Sequence, residues 1–315
     1  MSYQPGSNPH PGGGNPYGFA HPAGDAYPSG WPKQYPTGWP DRPPRGKKPR
    51  GFDPNDKTAS DPGRFHWGDV LALVVYVGGF ILGGMLLLFT IPGVTEFGAQ
   101  AYGREPVSFN EVLAEPQMPG WFLMYSNVVL YSITGIILLA VSWRPFLYSF
   151  RWFSTWWPIK VLLLPVIWLG TLMLTSFLLV VSGQEADISA NQEAVQEAAG
   201  ESSLLVSILI LGLVGPYVEE YIFRHILIGK LSRWIPTWIT VPISILAFTM
   251  LHFIGDPDTS FASVLPYLSM AIAFTTVYLL SKKSFAYVWL SHAFNNVVSV
   301  LVMEMQFAEG AVALI

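Results

Sequence analysis

Long apolar runs, separated by short polar stretches, follow one another from about residue 67 almost to the end of the chain. Each run is close to the ~20 residues that an α-helix needs to cross the ~30 Å hydrocarbon core of a bilayer. The runs do not alternate apolar and polar residues, as half-buried strands would. The pattern predicts an all-α, polytopic membrane bundle of about seven transmembrane helices, with room for an eighth in the loops. The predicted segments are 67–91, 121–142, 158–182, 203–229, 237–254, 262–280 and 285–303.

The first 65 residues have a different composition. They hold 14 of the 26 Pro and 11 of the 29 Gly, with almost no aliphatic side chains. Such a stretch cannot bury enough apolar surface to offset the loss of chain entropy on folding, so we expect a disordered tail over residues 1–65. Its basic end, residues 42–50, would either contact anionic lipid headgroups or only keep the tail soluble.

Charges in the loops alternate in sign along the chain. The tail carries eight of the 17 Lys and Arg residues, and the loop at 143–157 has basic residues and no acid. The loop at 183–202 has five acids and no base, and the loop at 92–120 is also mainly acidic. Since basic loops stay in the cytoplasm, we place the N-terminus there and the acidic loops outside. With seven crossings, the C-terminus would also lie outside.

Composition supports the membrane assignment and excludes some chemistry. The chain is 51% hydrophobic and only 12% charged, which is about half the charge of an ordinary soluble domain. It contains no Cys, so disulfides, thiolate metal sites and lipid attachment to Cys are excluded.

Ionisable side chains stand inside the fourth apolar segment, where they are costly and usually mark function. Glu219 and Glu220 follow Pro216, which should kink or restart the helix. Glu220 and Arg224 are four residues apart and can pair along one helix face, whereas Glu219 has no partner in its own segment. A purely structural ion pair, with Glu219 completing a polar helix contact, is the alternative.

Two later segments add imidazoles. His252 ends the fifth segment, and the seventh carries His292 and Asn296, four residues apart and facing the same groove. At about 1.5 Å per residue, Glu219 and His252 lie at one depth, with His292 about one and a half turns closer to the cytoplasm. We therefore predict one site in the middle-to-outer bilayer, although each residue alone could serve interhelical hydrogen bonding. The neighbouring His225 points elsewhere and is left out.

This set of groups suits the hydrolysis of a carbonyl compound. Glu219 can act as general base on a water that His252 helps to hold. His292 and Asn296 can donate hydrogen bonds to the oxyanion. Alternatively, Glu219, His252 and His292 form a zinc set with a fourth position for water. The residues leave the choice open, and Glu220 with Arg224 would support the site in either case.

Three motifs, Glu219-Glu220-x-x-x-Arg224, Phe248-x-x-x-His252 and His292-x-x-x-Asn296, resemble in order those of the CPBP family. This family includes the type II CAAX prenyl proteases and the bacterial Abi and bacteriocin-immunity proteins. The resemblance covers about residues 160–305. It implies an all-helical intramembrane peptidase in which Glu219 and His252 activate the water and His292 with Asn296 stabilises the oxyanion, with zinc again open.

The expected organisation follows from the resemblance and the segments together. N-terminal transmembrane helices over 66–157 precede a CPBP/Abi-like protease core over 158–305 and a short C-terminal tail over 306–315. We expect a multi-pass protein of the cell membrane that contacts lipid and a peptide or protein substrate, and no nucleic acid. The alternatives are a non-catalytic immunity protein of the Abi type and, less favoured, a proton-coupled transporter.

Overall fold

The computed structural model describes residues 58–114, 118–254 and 259–312, and every regular element among them is helical. The predicted all-α class is therefore confirmed. The predicted tail as far as residue 57, with its basic end at 42–50, lies outside the described residues.

The helices follow the chain in order. They are α1 (Trp67–Ile81), α2 (Gly84–Thr90), α3 (Val94–Tyr102), α4 (Phe109–Ala114), α5 (Gly120–Ser154), α6 (Trp157–Ser182), α7 (Ala190–Gly200), α8 (Leu204–Arg233), α9 (Thr237–Leu251), α10 (Phe261–Leu280) and α11 (Phe285–Val312). Helices α3, α4 and α7 lie in the loops that the sequence leaves between apolar segments.

Five of the described helices, α5, α6, α8, α10 and α11, are long and apolar enough to cross a membrane. The chain is therefore a multi-pass membrane protein. Helices α1 and α2 are bent by 81° and add at most one further span. Helix α9 is apolar but only 15 residues long. The count of seven spans thus stays a prediction.

The break between α1 and α2 falls at a pair of glycines. Gly83 has φ of +70°, a left-handed conformation that glycine adopts without steric cost. A Cβ atom on Gly84 would collide with the backbone of Gly78, so the chain can fold back this tightly only without a side chain there. The first apolar segment is consequently two short helices instead of one straight span.

Helix α8 lies at the centre of the bundle, and 61% of its most apolar window is buried, compared with 6% for α6. Its hydrogen-bond register changes four times: Leu204–Ser207 is α-helical, Ile208–Val214 is π-helical, Gly215–Glu220 is α-helical, Tyr221–Lys230 is π-helical again and Leu231–Arg233 is 3₁₀-helical. At Pro216 the structure thus changes register where the sequence predicted a kink or restart. Because i→i+5 bonds wind more residues into each turn, the π-helical stretches shorten α8.

The two predicted tails are shorter than the sequence suggested. Residues 58–65 pack against the bundle: Ser60 N–H donates to the carbonyl of Lys282 at 3.1 Å, and Asp61 pairs with Arg233 at 2.6 Å. These bonds hold the segment against the bundle, within the range 1–65 that the sequence analysis assigns to the tail. At the other end, α11 continues as a helix to Val312, through most of the predicted tail at 306–315.

Candidate active site

Glu219 is buried near the middle of α8, with only 8% of its surface exposed. Its Oε1 accepts a hydrogen bond of 3.0 Å from the hydroxyl of Tyr131 on α5. Its Oε2 lies 3.9 Å from Nε2 of His292, which is beyond hydrogen-bond distance. One oxygen of this carboxylate is therefore held and the other is available. Sequence reasoning missed Tyr131, since nothing distinguishes it from the other aromatic residues of its segment.

Glu220 and Arg224 form the predicted i,i+4 ion pair. Arg224 Nη1 lies 2.9 Å from Glu220 Oε1, and both side chains are fully buried. The guanidinium also stacks 4.3 Å from the ring centre of Phe248 and donates to the carbonyl of Ala271 at 3.3 Å. These contacts offset part of the large desolvation cost of a buried ion pair, and they fix the helix face that carries Glu219.

His292 joins the two carboxylates. Its Nδ1 lies 2.8 Å from Glu220 Oε1, and because a carboxylate only accepts, Nδ1 is the donor. Its ring stacks on Phe274 with 4.4 Å between ring centres. The difference in depth between His292 and Glu219 that the sequence predicted is not observed. The prediction assumed the α-helical rise for all of α8, whereas Tyr221–Lys230 is π-helical and shorter.

His252 follows the last residue of α9 and is held in one tautomer. Its Nδ1 donates to the carbonyl of Phe248 at 2.8 Å, so Nε2 carries the lone pair of the neutral ring. The imidazole stacks against Tyr267 of α10, with 4.3 Å between ring centres and 29° between planes. Tyr267 is a second site residue that the sequence did not indicate.

Asn296 compensates for the missing N–H of Pro216. In the π-helical stretch of α8, the Gly215 N–H donates to the carbonyl of Ile210, five residues earlier. The next bond in that register would reach the carbonyl of Leu211 from residue 216, but proline has no N–H. Asn296 Nδ2 donates to the Leu211 carbonyl instead, at 3.0 Å. This contact gives Asn296 a structural role, in addition to its predicted role as a hydrogen-bond donor to the oxyanion.

A cavity of about 900 Å³ opens inside the bundle and brings the four predicted catalytic residues together. Glu219, His252, His292 and Asn296 all line it, together with Tyr131. Glu220 and Arg224 are not among the lining residues and lie behind the wall that Glu219 and His292 form. His225 does not line the cavity either and stacks on Tyr221, with 5.2 Å between ring centres.

The zinc arrangement that the sequence left open does not form. Across residues 58–114, 118–254 and 259–312, no three His, Asp or Glu side chains are close enough to hold one metal ion. His292 directs its Nδ1 at Glu220, and Glu219 receives its hydrogen bond from a tyrosine. In this arrangement Glu219, His252 and His292 do not fit a shared metal.

A second buried polar cluster lies further along α8, at the end that carries basic residues. Lys230 Nζ donates to both carboxylate oxygens of Asp69, at 2.7 and 2.8 Å. The Tyr221 hydroxyl donates to Asp69 Oδ1 at 2.5 Å, and the His66 backbone N–H donates to Oδ2 at 2.9 Å. We call these four residues the sealed cluster, because Asp69 is fully buried and each of its oxygens accepts two hydrogen bonds.

Comparison with known proteins gives one family match. Residues 201–298 match the model of the family described as type II CAAX prenyl endopeptidase Rce1-like. No curated protein and no solved structure gives a significant match. The matched segment contains all three sequence motifs and the four lining residues predicted to be catalytic. It does not include Tyr131.

Proposed function

We propose that this chain, which belongs to the CPBP family, is an intramembrane endopeptidase of the CAAX-processing type. It would hydrolyse a peptide bond of a membrane-associated or lipid-modified substrate. The observation that carries the proposal is the cavity inside the helical bundle on which Glu219, His252, His292 and Asn296 converge from three separate helical regions. A cavity that exposes a carboxylate, two imidazoles and an amide at membrane depth is suited to hydrolysis and has no evident structural purpose.

Glu219 is the proposed general base. The Tyr131 hydroxyl occupies Oε1, which leaves Oε2 to take the proton of a water molecule in the cavity. The lone pair on His252 Nε2 would accept the second proton of that water in a hydrogen bond, since Nδ1 is bound to a carbonyl. The two residues would thus orient the attacking oxygen from two sides of the cavity.

His292 is the proposed oxyanion donor, and this role depends on the protonation of its ring. Because Nδ1 already donates to Glu220, Nε2 can donate to an oxyanion only when the ring is doubly protonated. Within the bundle, the carboxylates of Glu219 and Glu220 are opposed by the single guanidinium of Arg224, so an imidazolium would balance the charge. The Asn296 amide has a second N–H that is not bound to Leu211, and this N–H would be the second donor to the oxyanion.

The proposal favours a glutamate-type reaction over a zinc-dependent one. The contacts assign separate partners to Glu219, His252 and His292, and no three candidate ligands in the described part of the chain approach one point. A water activated by a carboxylate requires positioning and a proton acceptor, and the cavity provides both.

Peptide turnover by the purified protein in lipid nanodiscs tests the proposal. We expect Glu219→Ala and His252→Ala each to lower kcat by about a hundredfold or more, as loss of an acid–base group does. Glu185→Gln is the matched control, because this exposed acid does not line the cavity and should leave turnover unchanged. Unchanged turnover in both cavity variants would contradict the proposal, and a wild type that cleaves nothing would favour the non-catalytic alternative.

A further inference from the structure

Apart from the imidazolium proposed for His292, the charged side chains that line the described walls of the cavity are all acidic. Three carboxylates line it, those of Asp187, Glu193 and Glu219, and the described lining residues include no Lys or Arg. A cleft with charge of one sign and low-dielectric walls concentrates its field on whatever enters. The cavity is therefore built for a substrate that is not itself anionic near the scissile bond.

Glu219 provides a second observation at the inner end of the cavity. It is more than nine-tenths buried, and Oε1 accepts from Tyr131. Among the described residues, the closest side-chain nitrogen of a His, Lys or Arg to Oε2 is His292 Nε2, at 3.9 Å. This carboxylate oxygen, which no described residue reaches with a hydrogen bond, therefore faces the space that a substrate would occupy.

Asp187 and Glu193 belong to residues 187–195, which we call the mouth segment because all nine residues line the cavity. The segment is fixed to the site: the Tyr267 hydroxyl lies 3.1 Å from both Ser189 Oγ and Asn191 Nδ2. Tyr267 is the ring that stacks on His252. Tyr267 therefore contacts both the mouth segment and His252, a proposed catalytic residue.

The mouth segment marks one face of the bundle. It leads through α7 to the start of α8, whereas the end of α8 lies at the opposite, basic face. There Lys283 Nζ donates to Ser232 Oγ at 2.9 Å, which places the loops after α8 and α10 side by side. A substrate that enters past residues 187–195 therefore approaches from the acid-rich face.

We propose that the substrate enters from the acid-rich face and carries a Lys or Arg side chain near the scissile bond, and that Asp187 and Glu193 select it. This inference rests on the proposed peptidase function and names its substrate class. Both carboxylates are exposed at the mouth, so they act by steering and by weak pairing, and salt screens both effects.

Three peptides that differ only in Lys, Gln or Glu beside the scissile bond test the charge preference in the full chain in nanodiscs. At low salt we expect kcat/KM for the Lys peptide to exceed that for the Glu peptide about tenfold, with a smaller ratio at high salt. The double variant Asp187→Asn/Glu193→Gln should bring the ratio close to one. Glu96→Gln/Glu185→Gln removes two exposed acids that do not line the cavity and should preserve the ratio.

Equal kcat/KM for the three peptides, or a ratio that survives Asp187→Asn/Glu193→Gln, would overturn the inference. Binding of the same labelled peptides to Glu219→Gln protein separates this failure from failure of the proposed function. Preferential binding of the Lys peptide without any cleavage by wild type would support the charge preference and reject the peptidase. Cleavage without a preference in either assay would support the peptidase and reject the charge preference.

The entry face can be tested because the chain has no native Cys. We expect a single Ala194→Cys in the mouth segment to react with a membrane-impermeant maleimide from one side of the membrane, and the Lys peptide to protect it. Trp234→Cys, at the exposed opposite end of α8, should react only from the other side. Labelling of both positions from the same side, or no protection by the peptide, would contradict entry past residues 187–195.

Discussion

Helix α8 carries two buried polar clusters that differ in how completely their carboxylates are bonded. In the sealed cluster, each oxygen of Asp69 accepts two hydrogen bonds, and the carboxylate of Asp69 is closed to solvent. At the cavity, Glu219 has one oxygen bonded to Tyr131 and the other facing open space. Complete bonding stabilises a fold, whereas a buried group left partly unbonded beside a cavity is available for chemistry. We therefore propose that the polar cluster at one end of α8 stabilises the fold and that Glu219, in the middle of α8, is reactive.

The largest effect on stability is expected in the sealed cluster. Asp69→Asn leaves the Lys230 ammonium buried without a counter-charge, which should lower the free energy of unfolding by about 3–5 kcal/mol. Asp69→Leu/Lys230→Met removes both charges and should recover most of that loss. Thermal unfolding in nanodiscs measures both variants. If Asp69→Asn unfolds like wild type, the sealed cluster is not structural and the comparison fails.

Asn296 has a structural contact with Leu211 and a proposed catalytic role at the oxyanion, and a double variant can separate the two. Asn296→Ala leaves the Leu211 carbonyl without a donor and should cost about 1–3 kcal/mol of stability. Adding Pro216→Ala supplies the missing backbone N–H and should restore stability. Turnover should stay low in the double variant if the amide also contacts the oxyanion. Recovery of turnover together with stability would show that Asn296 is only structural.

Tyr131 tests the contribution of the hydrogen bond that its hydroxyl donates to Glu219. Tyr131→Phe removes the donor to Glu219 Oε1 and should lower kcat about tenfold, the equivalent of one hydrogen bond to a charged group, with KM and the melting temperature little changed. Tyr125→Phe is the matched control on the same helix, since its hydroxyl donates to the Val94 carbonyl away from the cavity. It should leave kcat unchanged. Equal kcat in both variants would remove Tyr131 from the site.

Lys283 gives the smallest expected effect. In contrast to Lys230, its ammonium forms no ion pair with a carboxylate among the described residues. Burial lowers the pKa of Lys283 to about 8, below its value in the unfolded chain. The folded state therefore binds this proton less tightly, so stability should rise as the pH increases from about 8 to 10, by about 1 kcal/mol for this partly exposed group. Lys283→Met should flatten that part of the stability profile relative to wild type. A profile with the same slope in both proteins would contradict the assignment.

The sequence predicted those features that local spacing controls. The apolar runs predicted an all-helical membrane protein, and the i,i+4 spacing predicted the pair of Glu220 and Arg224. The three motifs, in order and each on its own apolar segment, predicted the family whose model residues 201–298 match. The sequence also predicted that Glu219, His252 and His292 belong to one site, and all three line the cavity, without the difference in depth that the sequence assigned to His292.

Features that depend on tertiary contacts could not be predicted in the same way. The π-helical stretches of α8 depend on how its neighbours bond to it, as Asn296 does at Leu211, so the shorter distance of Glu219 from the basic end of α8 was missed. Tyr131 and Tyr267 are distant in sequence from the residues they contact and look like ordinary apolar positions. The fold-back at Gly83 depends on a close backbone approach that composition alone does not reveal.

The central claim is that Glu219 is a reactive carboxylate and not a structural one. Glu219→Gln keeps the shape of the side chain and removes its charge. Turnover and thermal stability are measured on the same nanodisc preparation, so that loss of activity can be distinguished from unfolding. The account predicts a loss of at least a hundredfold in kcat with a melting temperature close to that of wild type. A variant that keeps its turnover, or that loses turnover only because it unfolds, would contradict the claim.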